Sequence, residues 1–288
     1  MVKNSARTTG TLYIVATPIG NRDDISLRAL ETLKSVDAIL AEDTRHSAQL
    51  LNLLGIHKTL HSLHAHNEAQ KSAQIIQAME EGQSFALISD AGTPLISDPG
   101  FPLVRQAREK QINIVPIPGA CALITALSAA GVACDSFTFI GFLPAKQTAR
   151  RAKLESLRHS EHTIVFYEST HRLIDCLDDL IEIYGQDYEM VVAKELTKAF
   201  ERFISGSVQA IKDWFFADAA HTKGEFVFIL PARPIQEQSN QNEKEVLTLL
   251  LNELPLKQAV KIASLLTQKN KNELYKLALL LNEQKEKR

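Results

Sequence analysis

The sequence lacks several features that define large classes of protein. Its three cysteines, Cys121, Cys134 and Cys176, form no C-x-x-C pair, so we expect reduced structural thiols rather than a disulfide framework. It has no apolar run of about 18 residues and no signal-peptide core near its start, so we expect a cytoplasmic protein with no membrane partner. A net charge of −2 gives no overall attraction for nucleic acid, so any RNA-binding surface must be local.

Common catalytic motifs are missing as well. Neither G-x-G-x-x-G nor G-x-x-x-x-G-K-[ST] occurs, which excludes the usual dinucleotide and triphosphate cradles. H-E-x-x-H and G-x-S-x-G are also absent. The clustered histidines His57, His61, His64 and His66 have no carboxylate at a matching spacing, so we predict no metal site.

The sequence is instead built from short apolar runs that alternate with segments of helical periodicity. This alternation predicts an α/β fold with mainly parallel sheets. The length suffices for two α/β domains, which we place at residues 11–136 and 137–232. Residues 233–244 are rich in Gln, Asn and Ser and are interpreted as a linker, and residues 245–288 are predicted to be helical.

One stretch, Leu87–Gly100, organises the rest of the chain. The apolar run from Phe85 to Ser89 predicts a buried strand that stops at Asp90. Gly92 and the prolines that follow forbid a regular helix or central strand in the next residues. In open α/β sheets, ligands bind in loops that leave the carboxyl ends of strands, and an aspartate there can accept hydrogen bonds from an ammonium or a ribose hydroxyl. The alternative is a tight turn whose aspartates cap the following helix.

Other loops at predicted strand ends share this character. They are poor in large apolar groups and rich in backbone donors and acceptors, which suits a polar, zwitterionic small cofactor better than a bare phosphate. These loops are Thr17–Asn21, Glu42–His46, Pro116–Cys121, Glu168–Arg172 and Lys194–Lys198.

Taken together, these stretches resemble the signatures of the ribosomal RNA small subunit methyltransferase I family, a branch of the tetrapyrrole methylase superfamily. The matching segments are Thr11–Asn21, Ala41–Arg45, Leu87–Gly100, Ile117–Ala120, Phe139–Pro144, Phe166–Arg172 and Ala193–Lys198. The resemblance spans about residues 11–232 and continues into the C-terminal helical segment. The first loop departs from the glycine-rich loop of tetrapyrrole enzymes, which fits the RNA branch and counts against a porphyrin substrate.

The resemblance implies S-adenosyl-L-methionine as cofactor, held in a cleft between the two α/β domains. It also implies methylation of the ribose 2′-oxygen of one cytidine in 16S rRNA, with that RNA or the small ribosomal subunit as partner, and a homodimer. By position, it assigns cofactor contacts to Pro18, Asp90, Gly92, Thr93, Ala120, Cys121, Phe166, Tyr167, Leu196 and Phe226.

Ionisable side chains at the strand ends are the candidates for catalysis. A ribose hydroxyl is a weak acid, so a nearby base or cation should assist its attack on a methyl group. The predicted catalytic residues are Glu42, Asp43, Arg45, Glu168 and Lys194. Two of them have a structural alternative, since Glu168 with Arg172, and Lys194 with Glu195, would also make simple ion pairs.

Basic side chains cluster in two places that are candidates for RNA binding. Lys146, Arg150, Arg151, Lys153 and Arg158 occur close enough together to neutralise phosphates, unless they belong to an ordinary solvated helix face. In the C-terminal segment, lysines could form a second RNA contact or an ordinary surface. These are Lys257, Lys261, Lys269, Lys271 and Lys276.

Two other functions remain open at this point. One is a methylase that acts on a small molecule such as a tetrapyrrole. The other is a non-enzymatic RNA-binding assembly factor that keeps the fold. Cofactor binding distinguishes the second from an enzyme, and methylation of a porphyrin without RNA would identify the first.

Overall fold

The computed structural model describes residues 9–232, 235–267 and 269–286. Its first half contains a five-stranded sheet with the order β3-β2-β4-β1-β5, in which every pairing is parallel. The strands are β1 (Thr11–Val15), β2 (Ala38–Ala41), β3 (Thr59–Ser62), β4 (Phe85–Ile88) and β5 (Asn113–Ile117). The helices of this half are α1 (Leu27–Ser35), α2 (Thr44–Leu53), α3 (Glu68–Glu80), α4 (Phe101–Glu109) and α5 (Ala122–Ala129).

Alternating side chains on the strands pack into two cores, one on each face of this sheet. On β4, Leu87 joins the core under α3 and α4, whereas Ala86 and Ile88 join the core under α1 and α2. The sheet is therefore covered on both faces, as parallel sheets require. All four residues of β4 are buried, and the chain reaches the surface in the loop that follows.

The second half contains a separate five-stranded sheet with the order β6-β7-β10-β8-β9. Its elements are β6 (Phe137–Phe142), α6 (Gln147–Leu157), β7 (Thr163–Ser169), α7 (Leu173–Tyr184), β8 (Glu189–Lys194), β9 (Arg202–Ser207), α8 (Val208–Ala217) and β10 (Glu225–Leu230). The α/β class is thereby confirmed. Parallel pairing holds throughout the first sheet, but in the second only β6 and β7 are parallel. For β8 and β9 the reason is chain length, because residues 195–201 are too few for a crossover and the two strands therefore pair antiparallel.

Helix α5 joins the two halves. One face of the second sheet packs on α6, α7 and α8. The opposite face, which includes Val165, Val191 and Val227, packs against Leu123 and Leu127 of α5. This shared apolar contact fixes the strand-end loops of the first sheet opposite the ends of β7 and β10.

The C-terminal segment is helical, as predicted, over the residues that the structure describes. It consists of α9 (Ile235–Glu253), α10 (Leu256–Thr267) and α11 (Lys271–Glu286), which pack around Leu247, Ala263 and Leu274. The linker expectation is wrong from residue 235 onward because α9 begins there, and Gln, Glu and Lys are good helix formers. Residues 233 and 234 of that linker, and 268, 287 and 288 of the helical segment, lie outside the described residues. Within the described ranges, no helix is long and apolar enough to cross a membrane.

Candidate active site

A cleft of about 510 Å³ lies between the two halves. Its first-half wall comes from the loop after β4, with Ile19, Glu42 and the start of α5 beside it. Its second-half wall comes from the ends of β7 and β10 and from Leu196. Residues far apart in the sequence therefore meet at the carboxyl edge of the parallel sheet, where ligands of such folds bind.

Gly92 fixes the loop after β4 against the loop after β1. Its N–H donates to the carbonyl of Thr17 at 3.0 Å, and its carbonyl accepts from the Thr17 N–H at 2.8 Å. Gly92 has a φ of 81°, in the left-handed region, and an added Cβ would lie 3.3 Å from Ile19 Cγ2. Thr93 continues the wall, since its hydroxyl donates to the Ala120 carbonyl at 3.1 Å. Three strand-end loops thus form one rigid surface.

Tyr167 forms the apolar floor on the second-half side. Its hydroxyl accepts a hydrogen bond from the Leu123 N–H at 3.1 Å, which satisfies a free amide in the first turn of α5. The ring packs edge-on against Phe139 and Phe142. Burial raises the pKa of Tyr167 to about 12, so this phenol stays protonated and keeps its role in the wall.

The cleft is strongly acidic. Five carboxylates, those of Glu42, Asp90, Asp98, Glu168 and Glu225, line it. Among the described residues, no lysine or arginine lines it. Burial, followed by repulsion from Glu42 and Asp90, raises the pKa of Asp98 to about 7. Burial and Asp90 also raise the pKa of Glu42. Like charges in a confined space make a positively charged ligand the natural occupant.

Glu168 is buried and only partly paired. Its Oε1 accepts from the Ser169 N–H at 2.7 Å and from Arg172 Nη2 at 2.9 Å, so the ion pair considered from the sequence is present. Its Oε2 is buried and has no hydrogen-bond partner within the described part of the chain. A buried carboxylate oxygen without a donor is costly, and the ion pair with Arg172 offsets part of that cost.

The rim of the cleft locks the two halves together. Gly20 approaches the loop after β8 so closely that an added Cβ would lie 2.9 Å from the Leu196 carbonyl oxygen. Next to it, the Asn21 N–H donates to Thr197 Oγ1 at 2.9 Å. Lys198 then bridges Glu195 and Glu225, each at 2.9 Å. These contacts hold Leu196 and Glu225 in place on the cleft wall.

Most of the residues expected to bind the cofactor meet in this cleft. The cleft is lined by Asp90, Gly92, Thr93, Cys121, Tyr167, Leu196 and Phe226. Pro18 and Ala120 do not line it, but each is next in the chain to a residue that does. The Phe166 side chain, also predicted to contact the cofactor, does not line the cleft. Its ring is fully buried and stacks on Phe228 in the core under α6–α8. Phe226 borders the cleft while its ring packs on Phe215 in that core.

The predicted catalytic residues divide into three groups. Glu42 and Glu168 line the cleft. Asp43 caps α2, because its side chain accepts from the N–H groups of Arg45 and His46, and Arg45 pairs with it while exposing 89% of its side chain. Hydrogen bonds from the Arg45 side chain lower the pKa of Asp43 to about 2. Lys194 lies outside the cleft, with its buried ammonium donating to the carbonyls of Ala220 and His221.

Two of the predicted RNA-binding residues are held in a buried ion-pair cluster. The side chain of Arg150 is 2% exposed, and its Nε donates to Asp179 at 2.6 Å. Arg151 donates to Asp179 at 2.6 Å and to Glu182. The proposal that Arg150 contacts RNA is therefore wrong, since α6 turns this side chain into the interior.

The other three basic residues of that stretch stay nearer the surface. Arg158 pairs with Glu155 and with Glu245 of α9, so it ties the C-terminal segment to α6. Lys146 is exposed at the start of α6, and Lys153 is half-buried. These two lysines, and Arg151 with 36% of its side chain exposed, remain candidates for direct phosphate contacts in this stretch.

Sequence reasoning missed Asp98 as an individual site residue. It belongs to the loop between Asp90 and Gly100, which the sequence analysis identified as a ligand-binding loop. The sequence does not show which of the aspartate and serine side chains in that loop faces the cleft. Ser97, beside Asp98, has a φ of 71°, which orients this part of the loop toward the cleft. Thr170, His171 and Gly224 also line the cleft. No group of three potential metal ligands occurs among the described residues.

Comparison with known proteins identifies the family to which the chain belongs. A family model described as "Tetrapyrrole (Corrin/Porphyrin) Methylases" matches residues 11–212, and one described as "RsmI C-terminal HTH domain" matches residues 237–282. The chain resembles the crystal structure of uroporphyrin-III-C-methyltransferase from Thermus thermophilus with a TM-score of 0.55. That match covers 77% of this chain and 95% of the other at 19% identity, so it supports the fold alone.

Two curated relatives are much more similar in sequence. Both carry the name ribosomal RNA small subunit methyltransferase I. The protein from Haemophilus influenzae is 49% identical over 89% of this chain and 92% of its own length. The protein from Pasteurella multocida is 50% identical over the same shares of the two chains. This degree of identity, together with the family models, shows that the chain belongs to the ribosomal RNA small subunit methyltransferase I family, a methyltransferase branch of the tetrapyrrole methylases.

Proposed function

We propose that this protein transfers a methyl group from S-adenosylmethionine to the ribose 2′-oxygen of a cytidine in 16S rRNA, free or within the small ribosomal subunit. We further propose that it acts in the cytoplasm as a homodimer. The names of the relatives supply the class of RNA, and the acidic cleft supplies the observation on which the cofactor rests.

The residues of the cleft fit this cofactor. S-adenosylmethionine carries a sulfonium, an ammonium and one carboxylate, and is therefore a net cation near neutral pH. Its charge complements the carboxylates that line the cleft. Ile19, Tyr167 and Val227 provide apolar wall for an adenosine. A bare phosphate or a dinucleotide would be repelled by the same carboxylates.

When bound, S-adenosylmethionine supplies an electrophilic methyl group whose sulfur leaves as a neutral thioether, so the leaving group needs no acid. The protein must hold the ribose oxygen in line and accept its proton. We propose Asp98 as the acceptor, because it lines the cleft and burial, followed by repulsion from Glu42 and Asp90, raises its pKa to about 7. A proton acceptor is most effective when its pKa lies near the working pH. Glu42 and Asp90 would then hold the cofactor rather than the proton.

Mass spectrometry of 16S rRNA tests this function. Purified protein, methyl-labelled S-adenosylmethionine and either 16S transcript or small subunits should yield one fragment with a single labelled methyl on a cytidine ribose. Cofactor binding without methyl transfer to either RNA would favour an assembly factor, and methylation of a porphyrin in the absence of RNA would favour a small-molecule methylase.

Asp90→Asn should weaken S-adenosylmethionine binding about tenfold or more, while leaving RNA binding within twofold. The reason is that the change removes one of the cleft's negative charges and keeps the oxygen that accepts from the Asp43 N–H. Calorimetric titration measures the first effect and filter binding the second. Asp23→Asn, at an exposed aspartate that does not line the cleft, is the matched control. An equal loss of both affinities would contradict a cofactor role for Asp90.

Binding of S-adenosylmethionine should tighten as the pH rises from 5.5 to 7 and level off above it. The pKa of Asp98 is about 7 in the free protein, so below that pH its carboxyl is neutral and contributes no attraction. A cation binds best to the ionised form, so binding releases up to one proton and the Kd falls by up to about tenfold per pH unit. Calorimetry across this range should show the slope in the natural protein and not in Asp98→Asn, and a slope that persists in the variant would exclude Asp98 as its source.

A further inference from the structure

A second cavity, of about 480 Å³, lies beside the cleft. We call it the Phe200 pocket and define it by Phe200, Arg202, Trp214, His221, Lys223 and Gly224. It is built from the β8–β9 connection, α8 and the turn before β10. Gly224 lines both the cleft and this pocket, so the two cavities adjoin at one residue.

Flat aromatic surface dominates the pocket. Phe200 is 78% exposed, which is unusual for a large apolar side chain that a fold could bury. Trp214 lies parallel to His221, with ring centroids 3.7 Å apart, and this stack holds the indole in place. The guanidinium carbon of Arg202 is 5.8 Å from the centre of the Trp214 ring. An exposed ring beside an arginine, here that of Phe200, is a surface on which an unpaired nucleobase stacks.

Arg202 and Lys223 place cationic groups next to those rings, in a lining that also carries three carboxylates. Glu201 accepts from the Thr197 N–H at 2.6 Å, and Asp218 accepts from the Ala220 N–H at 2.8 Å. Glu195 pairs with Lys198. By contrast, neither Arg202 nor Lys223 forms an ion pair within the ranges that the structure describes. Two cations without an ion-pair partner in the described ranges and a stacking surface together match a nucleotide, which carries one phosphate and one planar base.

Lys194 gives the pocket its shape. Its buried ammonium donates to the carbonyls of Ala220 at 2.7 Å and His221 at 2.9 Å, and so fixes the turn that carries the His221 ring. Burial lowers the pKa of Lys194, consistent with an ammonium enclosed by protein. Its role is therefore to position the aromatic stack rather than to act on the reacting atoms.

We infer that the Phe200 pocket binds an unpaired nucleotide of the RNA substrate, next to the one whose ribose enters the cleft. The base stacks on Phe200, beside the Trp214–His221 stack, and the phosphate lies against Arg202 and Lys223. This inference rests on the proposed function, since it takes RNA as the substrate. The junction at Gly224 is what makes two neighbouring nucleotides the natural occupants of the two cavities.

Phe200→Ala tests the stacking contact, with Phe216→Ala as its matched control. Phe216 is also exposed, at 65%, but does not line the pocket. For Phe200→Ala we expect the KM for 16S rRNA or small subunits to rise about fivefold or more, with kcat and the Kd for S-adenosylmethionine unchanged. Phe216→Ala should behave as the natural protein. An unchanged KM would overturn the inference.

Arg202→Gln tests the phosphate contact separately. Loss of one phosphate contact should reduce the slope of log Kd for 16S transcript against log salt by about 0.7 to 0.9. An unchanged slope would contradict the phosphate contact. A shift of either variant from dimer to monomer in sedimentation would also contradict it, because the pocket would then bind a second copy of the chain. The binding assay needs no catalysis. If the natural protein binds the transcript with these dependences but methylates no RNA, the proposed function fails and the nucleotide site stands.

Discussion

Replacing Asp98 with asparagine should slow methyl transfer by about 10²- to 10⁴-fold at saturating cofactor, the range that a positioned proton acceptor contributes. Asparagine keeps the size and polarity of the side chain but cannot take the proton of the ribose hydroxyl. Asp98 lies in the cleft near Glu42 and Asp90, and their repulsion together with its burial keeps its pKa at about 7. The single-turnover rate with labelled S-adenosylmethionine and small subunits measures the effect.

Asp90→Asn serves as the control for this experiment, because it removes the same charge from the same cleft. With the cofactor at saturation, its single-turnover rate should stay within a few-fold of the natural rate. If Asp98→Asn and Asp90→Asn were equally slow under those conditions, the loss would reflect the charge of the cleft as a whole, and Asp98 would not be the proton acceptor.

Arg150→Ala should lower the free energy of unfolding by about 3 to 5 kcal/mol, the usual cost of removing one partner of a buried ion pair. Asp179 is fully buried and accepts from Arg150 at 2.6 Å, from Arg151 at 2.6 Å and from Gln147 at 3.2 Å. Burial alone would raise the pKa of Asp179, but the hydrogen bonds from Arg151 and Arg150 hold it below its usual range. Without Arg150, this carboxylate loses a charged donor inside the protein. Urea denaturation followed by circular dichroism measures the change.

Lys153→Ala on the same helix is the matched control for stability. Lys153 is half-buried and forms no ion pair among the described residues, so its loss should cost less than about 0.5 kcal/mol. RNA binding should distinguish the two variants in the opposite direction. Lys153 retains access to solvent, so its loss can weaken RNA binding, whereas loss of Arg150 should affect only stability. A stable Arg150→Ala protein with a reduced salt slope for RNA would contradict the structural role and restore Arg150 as a phosphate contact.

Local chain chemistry was enough to predict the centre of the site. The loop from Asp90 to Gly100 follows a short buried strand, and its glycines and prolines exclude regular structure, so its position at a sheet edge follows from a few neighbouring residues. The same holds for Glu42 and Glu168, which end strands that have clear apolar runs. In each case, the signal and the structure lie within about ten residues of each other.

The predictions for Phe166 and Arg150 failed because the direction of a single side chain decides whether it reaches the cleft or the solvent. Phe166 and Tyr167 are neighbours on β7, and strand alternation sends the first into the core and the second into the cleft. Which face meets the cleft depends on the packing of α5, which the local sequence does not reveal. Arg150 had a detectable signal, because it lies one helical turn before the buried Leu154 and thus on the same face.

Contacts between distant segments could not be predicted from a single sequence. The close approach of Gly20 to Leu196 joins residues of different sheets, and no periodicity encodes it. The Phe200 pocket likewise combines the β8–β9 connection with the end of α8. The strand order of the second sheet was also not predictable from the sequence, because tertiary packing determines which strands pair with β10.

A crystal structure with S-adenosylmethionine bound tests most directly that the acidic cleft is the methyl-donor site. We predict one donor molecule per chain in the cleft, between the loop that carries Asp90 and Asp98 and the wall that carries Tyr167 and Glu168. A donor bound in the Phe200 pocket, or outside both cavities while the cleft holds only solvent, would contradict the account.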